Sequence, residues 1–131
     1  MVQGGRPVRV LVVDDYEVIA NTIASILRGS GYEATAAYSG EQAVEAATAS
    51  NADVLITDVV MGTMSGIEAA IRILRNRPDC KVILSSGESK TVNLLRESEE
   101  QGYHFEILPK PVPPAILLDR LAAWQRAQVE R

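Results

Sequence analysis

Cys80 is the single cysteine in 131 residues, so no internal disulfide can brace the chain and nothing calls for an oxidising compartment. No apolar run approaches the length of a membrane span, and the first residues lack the charged-then-apolar layout of a signal peptide. A cytoplasmic location away from the membrane is therefore the default expectation. The sequence has no basic stripe; its formal charge is −4 and its pI is near 5.0. That acidic balance argues against direct nucleic-acid binding, which draws on clustered lysine and arginine. There is no internal repeat and no low-complexity tract. Aromatic residues amount to only 5%, but the hydrophobic content of 47% is enough to build a core without a disulfide or a structural metal. The length fits one domain, expected over residues 8–128, behind a polar, glycine-containing leader (1–7) that reads as disordered.

Apolar runs of strand length alternate with stretches of helical period. Residues 8–13 are rich in valine and end at Asp14 and Asp15. Ile19, Ile23, Ile26 and Leu27 follow at the spacing of one buried helical face, stopped by Gly29 and Gly31. Residues 33–37 read as a second strand. Ser39 and Gln42 then form a capping-box pattern that opens an alanine-rich helix. Residues 53–57 form a third strand that ends at Asp58. A second capping box, Ser65 with Glu68, introduces a helix whose stripe is Ile67, Ala70, Ile71 and Leu74. Residues 81–85 give a fourth strand, 91–101 a polar helix ended by Gly102, and 103–108 a fifth strand. Pro113 and Pro114 suit the first turn of a last helix that carries Leu117, Leu121 and Trp124 on one side.

Five β-α units in strict alternation predict an α/β fold: one doubly wound domain whose parallel five-stranded sheet has helices on both faces. In such sheets, sites lie outside the carboxyl ends of the strands. Asp14, Asp15, Asp58, Ser86 and Lys110 all follow directly on strands, and the topology gathers them at one edge. Three carboxylates together repel one another, and a divalent cation relieves the conflict. Oxygen ligands suit Mg²⁺, which takes one or two carboxylates plus phosphate oxygens. Lys110 adds a fixed positive charge and Ser86 a hydroxyl donor, while Gly87 is expected to let the backbone approach closely. The set describes phosphoryl transfer to a carboxylate, with Asp58 the best nucleophile because it stands alone on the middle strand.

Four separated motifs, in order and on the right elements, resemble the receiver domains of two-component signalling from about Arg9 to Trp124. They are Asp14-Asp15, the run from Asp58 to Gly66, Ser86-Gly87, and Lys110-Pro111. The resemblance implies a flavodoxin-like strand order of 2-1-3-4-5, an order for which a receiver protein is itself a standard example. It implies that Asp58 accepts phosphate from a sensor histidine kinase or a phosphotransfer protein. The chain would then act as a phospho-acceptor that assists its own phosphorylation and dephosphorylation, not as an enzyme, and would signal by a conformational change to a downstream effector. Mg²⁺ would be bound directly by Asp15, Asp58 and the Val60 carbonyl, and by Asp14 mainly through water. Lys110 would contact phosphoryl oxygens, Ser86 would be the switch hydroxyl, and Pro111 would follow a cis peptide bond. A weak homodimer through the last helix is a further family habit.

Two positions depart from the pattern. Gly62 stands where most members have proline, which predicts a more flexible loop. Ile107 occupies the switch position of an aromatic residue that usually rotates inward on activation; Tyr103 and Phe105 are out of register with it. Val60 and Glu88 stand where side chains tune phosphate lifetime.

The plainer readings are a solvated acidic turn capping the first helix for Asp14-Asp15, an ordinary turn for Ser86-Gly87, loop packing for Met61 and Met64, and a structural role for His104. With Asp58 and Lys110 in the same layer, the metal-site reading is preferred. The alternative function is a receiver-fold interaction module with altered or no phosphorylation readout. A metal-dependent phosphatase or nuclease would need an Asp-x-Asp pair after the third strand, which is missing, and the acidic first turn disfavours a flavodoxin-like cofactor binder. No DNA-binding or catalytic effector is present in the 131 residues, and both a stand-alone receiver and one domain of a longer protein fit.

Overall fold

The computed structural model of the chain describes residues 6–87 and 91–129. Strands β1 (Arg9–Val13), β2 (Glu33–Ala37), β3 (Val54–Asp58), β4 (Lys81–Ser86) and β5 (Glu106–Pro109) alternate with five helices. The helices are α1 (Glu17–Gly29), α2 (Gly40–Ser50), α3 (Gly66–Asn76), α4 (Thr91–Glu100) and α5 (Pro114–Val129). All strand pairs are parallel, in the order β2-β1-β3-β4-β5. The expected doubly wound fold is the one observed.

Alternation along the strands splits the core in two. Leu11, Val13, Leu55 and Leu84 face α2 and α3, while Val10, Val12, Val54, Ile56 and Ile83 face α1 and α5. Because both faces are covered, the central strands are mostly apolar, and every residue of β3 is buried, Thr57 and Asp58 included. The first helix packs differently from the expected isoleucine stripe. Ala20, Ala24 and Leu27 are buried, Ile23 and Ile26 are only half-buried, and Ile19 is 40% exposed. Alanine lets the helix come close to the sheet, so the longer isoleucines splay to its flanks.

Both serine caps form. Ser39 Oγ accepts from the Gln42 N–H at 3.1 Å, and Ser65 Oγ accepts from the Glu68 N–H at 3.0 Å. The reciprocal half of each box differs from the pattern. Gln42 reaches one residue further back, to the Tyr38 N–H, and Glu68 pairs with Arg72 instead. The fifth strand is also shorter than expected, starting at Glu106 and not at 103. The Tyr103 N–H donates to the Ser98 carbonyl at 3.0 Å, which closes the end of α4, and the Tyr103 and Phe105 rings stack at 5.9 Å. A backbone donor committed to the helix end cannot also join the strand ladder.

At the amino ends of the strands, away from the gathered aspartates, Asp53 is buried and accepts from the Arg9 N–H at 2.9 Å. Its carboxylate also takes two hydrogen bonds from Arg6, at 3.0 and 3.2 Å, and lies 3.8 Å from Arg77. The end of the expected leader that is described is therefore bonded to the domain. Cys80 is buried nearby, and burial pushes its thiol up to about 11. Burial also works against the Asp53 anion, but the Arg6 hydrogen bonds, the Arg9 N–H and the charges of Arg6 and Arg77 outweigh it and leave its pKa lowered. A lowered folded pKa stabilises the fold above the ordinary aspartate value, and that contribution is lost as pH falls through the folded one. Asp53→Asn should thus unfold at lower urea concentration than the wild type at neutral pH, with the two curves converging in acid. Curves that stay equally far apart at both pH values would show that Asp53 contributes no such term.

Candidate functional site

Parallel pairing puts the carboxyl ends of β1, β3, β4 and β5 side by side. Asp58, the last residue of β3, pairs with Ser85, and Ser86 pairs with Pro109, immediately before Lys110. The Lys110 N–H donates to the Ser86 carbonyl at 3.1 Å, and the peptide between Lys110 and Pro111 is cis. The Lys110 side chain reaches across the sheet edge. Its Nζ lies 3.0 Å from Asp14 Oδ2 and 3.2 Å from Asp58 Oδ2.

Asp14 is buried, and its other oxygen accepts from the Tyr16 N–H at 2.9 Å. This bond makes a local turn, while the residue that caps α1 is Tyr16, with no side-chain cap bond. The helix-capping reading of the aspartate pair is therefore not the one the structure takes. Asp15 is exposed, Asp58 is 9% exposed, and carboxylate oxygens of Asp14, Asp15 and Asp58 all lie within 4.8 Å of one another.

The charges do not balance. Three carboxylates against one ammonium leave a surplus of two negative charges in a partly buried site. Burial pushes the Asp58 carboxyl up, with Asp14 and Asp15 adding repulsion, and Lys110 only partly opposes this. For Lys110, burial lowers the pKa, but the bond to Asp14 and the charges of Asp58 and Asp14 hold it above its ordinary value. Converging carboxylate oxygens with uncompensated charge fit a hard divalent cation, so the residues present suit Mg²⁺.

The loop after Asp58 is shaped by one glycine whose role the motif alone does not explain. A Cβ on Gly66 would sit 2.0 Å from the Asp58 carbonyl oxygen, and the Gly66 N–H donates to the Val59 carbonyl at 2.7 Å. Buried Thr57 also donates its hydroxyl to the Asp58 carbonyl at 2.9 Å. Gly87 is a different case, since a Cβ there would meet Lys110 at 3.6 Å, an ordinary contact, so close approach does not require glycine. Val60 is exposed, and Glu88 lies outside the described residues. Met61 and Met64 are buried as loop packing. Ile107 is half-buried against the same cluster as Leu94, Tyr103 and Phe105. Beside the site, a cleft of about 560 Å³ runs between Val18, Ile19, Ile23, Val112 and Lys110, and nothing in the periodicity announces it.

The family described as the response regulator receiver domain matches residues 10–122. The chain belongs to this family. The probable transcriptional regulatory protein TcrX of Mycobacterium tuberculosis is 38% identical over 122 residues, which cover 93% of this chain and 51% of that protein. This receiver domain thus spans about half the length of that relative. A CheY-like receiver domain protein from Methanospirillum hungatei superposes with a TM-score of 0.84 at 25% identity, covering 95% of this chain and 98% of the other. The response regulator TrrA from Thermotoga maritima, solved in complex with Mg²⁺-BeF, gives a TM-score of 0.73 at 29% identity over 88% and 97% of the two chains. Among the described residues, no helix is long and apolar enough to cross a membrane.

The folded state holds the Asp58 proton more tightly than the unfolded chain does, so ionising Asp58 costs stability as pH rises above the ordinary aspartate value. Asp58→Asn should raise the Tm by a few degrees at neutral pH in a chelating buffer. An unchanged or lowered Tm would show that Lys110 already offsets the burial. Gly66→Ala should cost about 3 kcal/mol in urea unfolding, because the Asp58 carbonyl has to move. A loss below about 1 kcal/mol would mean the loop yields freely.

Proposed function

We propose that Asp58 is the phospho-acceptor of this receiver domain. The observation that carries the reading is the buried Asp58 carboxylate at the end of the central strand, 3.2 Å from Lys110 and clustered with two further aspartates. One Asp58 oxygen attacks the phosphorus of a phosphohistidine, on a sensor kinase or a phosphotransfer protein. A P–O bond forms as the P–N bond breaks, and the imidazole leaves with the electron pair and takes up a proton. Lys110 neutralises charge on the transferring oxygens, and Ser86 supplies a hydroxyl to the bound phosphate. Small phosphorylated donors can serve in the same way, which makes the domain a participant in its own modification.

Asp15, Asp58 and the Val60 carbonyl would hold Mg²⁺. Both oxygens of Asp14 are already engaged, by Lys110 and by the Tyr16 N–H, which supports an outer role through water. When bound, the cation supplies charge neutralisation for the phosphoryl group. The unit that does this is residues 8–128, acting in the cytoplasm, with an effector domain or protein downstream.

Ile107 favours a second reading of the output. A branched aliphatic side chain at this position, half-buried against the core, cannot rotate an aromatic ring inward, so readout would take another route or be lost. Amide spectra with and without beryllofluoride separate the two. Shifts spreading to α4 and β5 support a signalling switch, and shifts confined to the site support an interaction module.

Incubation with acetyl phosphate and Mg²⁺ should add one phosphoryl group to the intact chain. Asp58→Ala should abolish the adduct, and Lys110→Ala should reduce its yield by at least about tenfold. An adduct that persists undiminished in Asp58→Ala overturns the assignment.

A further inference from the structure

The segment between Asp58 and Gly66 has little backbone restraint of its own. Gly62 sits at φ +28°, where proline's fixed φ would have supplied stiffness. Its order comes from contacts at either side. Met61 and Met64, 3% and 8% exposed, sink into the core, and the Gly66 N–H closes the loop on Val59. A further contact is made with α2. Thr63 donates its hydroxyl to Glu41 Oε2 at 2.8 Å. One residue along on each side, a Cβ on Gly40 would lie 2.8 Å from the Met64 side chain and 3.0 Å from its carbonyl oxygen. The start of α2 therefore touches the loop at two successive residue pairs.

We propose that the Glu41–Thr63 hydrogen bond is a positioning device for the acceptor loop, holding Val60 so that its carbonyl meets the cation site of Asp15 and Asp58. The inference rests on the reading of Asp58 as acceptor. Neither side chain touches the reacting atoms; both are positioning residues. Ordering a glycine-containing loop costs conformational entropy, and a tether formed before the cation arrives removes that cost from binding. The bond is also charge-assisted. The Thr63 hydroxyl holds the Glu41 carboxyl below its ordinary range, as donation to the ionised form should.

The full chain can be titrated with Mg²⁺ by calorimetry, and its loop amides followed by hydrogen exchange with no Mg²⁺ present. Thr63→Val and Glu41→Ala should each weaken Mg²⁺ binding about fivefold, the loss of one hydrogen bond. Thr63→Ser and Glu41→Gln, which keep a donor and an acceptor, should stay within about twofold. The amides of Val60 and Met61 should exchange faster in Thr63→Val than in the wild type, while the Tm changes little. Wild-type Mg²⁺ affinity and wild-type exchange in Thr63→Val overturn the inference, as does a loss in Thr63→Ser equal to that in Thr63→Val. Because the exchange experiment contains no Mg²⁺, the two readings fail separately. A wild-type chain that takes no Mg²⁺ overturns the acceptor reading, whereas loosened loop amides in Thr63→Val still support the tether.

Discussion

The Lys110 ammonium, bonded to both Asp14 and Asp58, is the interaction on which the rest of the site depends. It joins residues 96 apart in sequence, which is possible only because β1 and β5 run in the same direction and end at the same edge. One cation among three carboxylates leaves the site short of positive charge. That shortage makes the residues around Asp58 receptive to a divalent ion.

The sheet supplies the rigidity that this imbalance needs. Leu55, Ile83 and Leu84 are completely buried, and small side chains on the helices (Ala20, Ala24, Ala43, Ala69) let the covering layers close in on both faces. The site lies beside the loops at the carboxyl edge of that frame. The Asp58–Gly66 loop is the one that carries the acceptor, and it is fitted so closely that a single added methyl at Gly66 would strike the Asp58 carbonyl. Strain in that loop would be felt at the acceptor itself.

Much of this was legible in the sequence because parallel sheets write themselves plainly. Valine-rich runs ending in Asp14 and Asp58, and Lys110 after the fifth run, carry their position with them. The serine caps at Ser39 and Ser65 were equally readable, since a cap is a local bond between near neighbours. What periodicity could not supply was depth. Ile19, Ile23 and Ile26 have the spacing of a buried face, but burial is decided by how close the helix lies to the sheet, which alanine governs and hydrophobicity does not. The start of β5 failed for a related reason, since residues 103–105 alternate as a strand does while the Tyr103 N–H is claimed by Ser98. The role of Gly66 and the Glu41–Thr63 contact depend on groups brought together by folding, and no single-chain pattern announces them.

The buried Cys80 has a practical consequence. With its thiol pushed up to about 11 and only 7% of its surface accessible, it stays protonated and covered at neutral pH. Alkylating probes will therefore pass over the native chain. A cysteine introduced on the acceptor loop would be the only one they find, and a single fluorophore or spin label placed there could follow the loop in real time without first removing the native thiol.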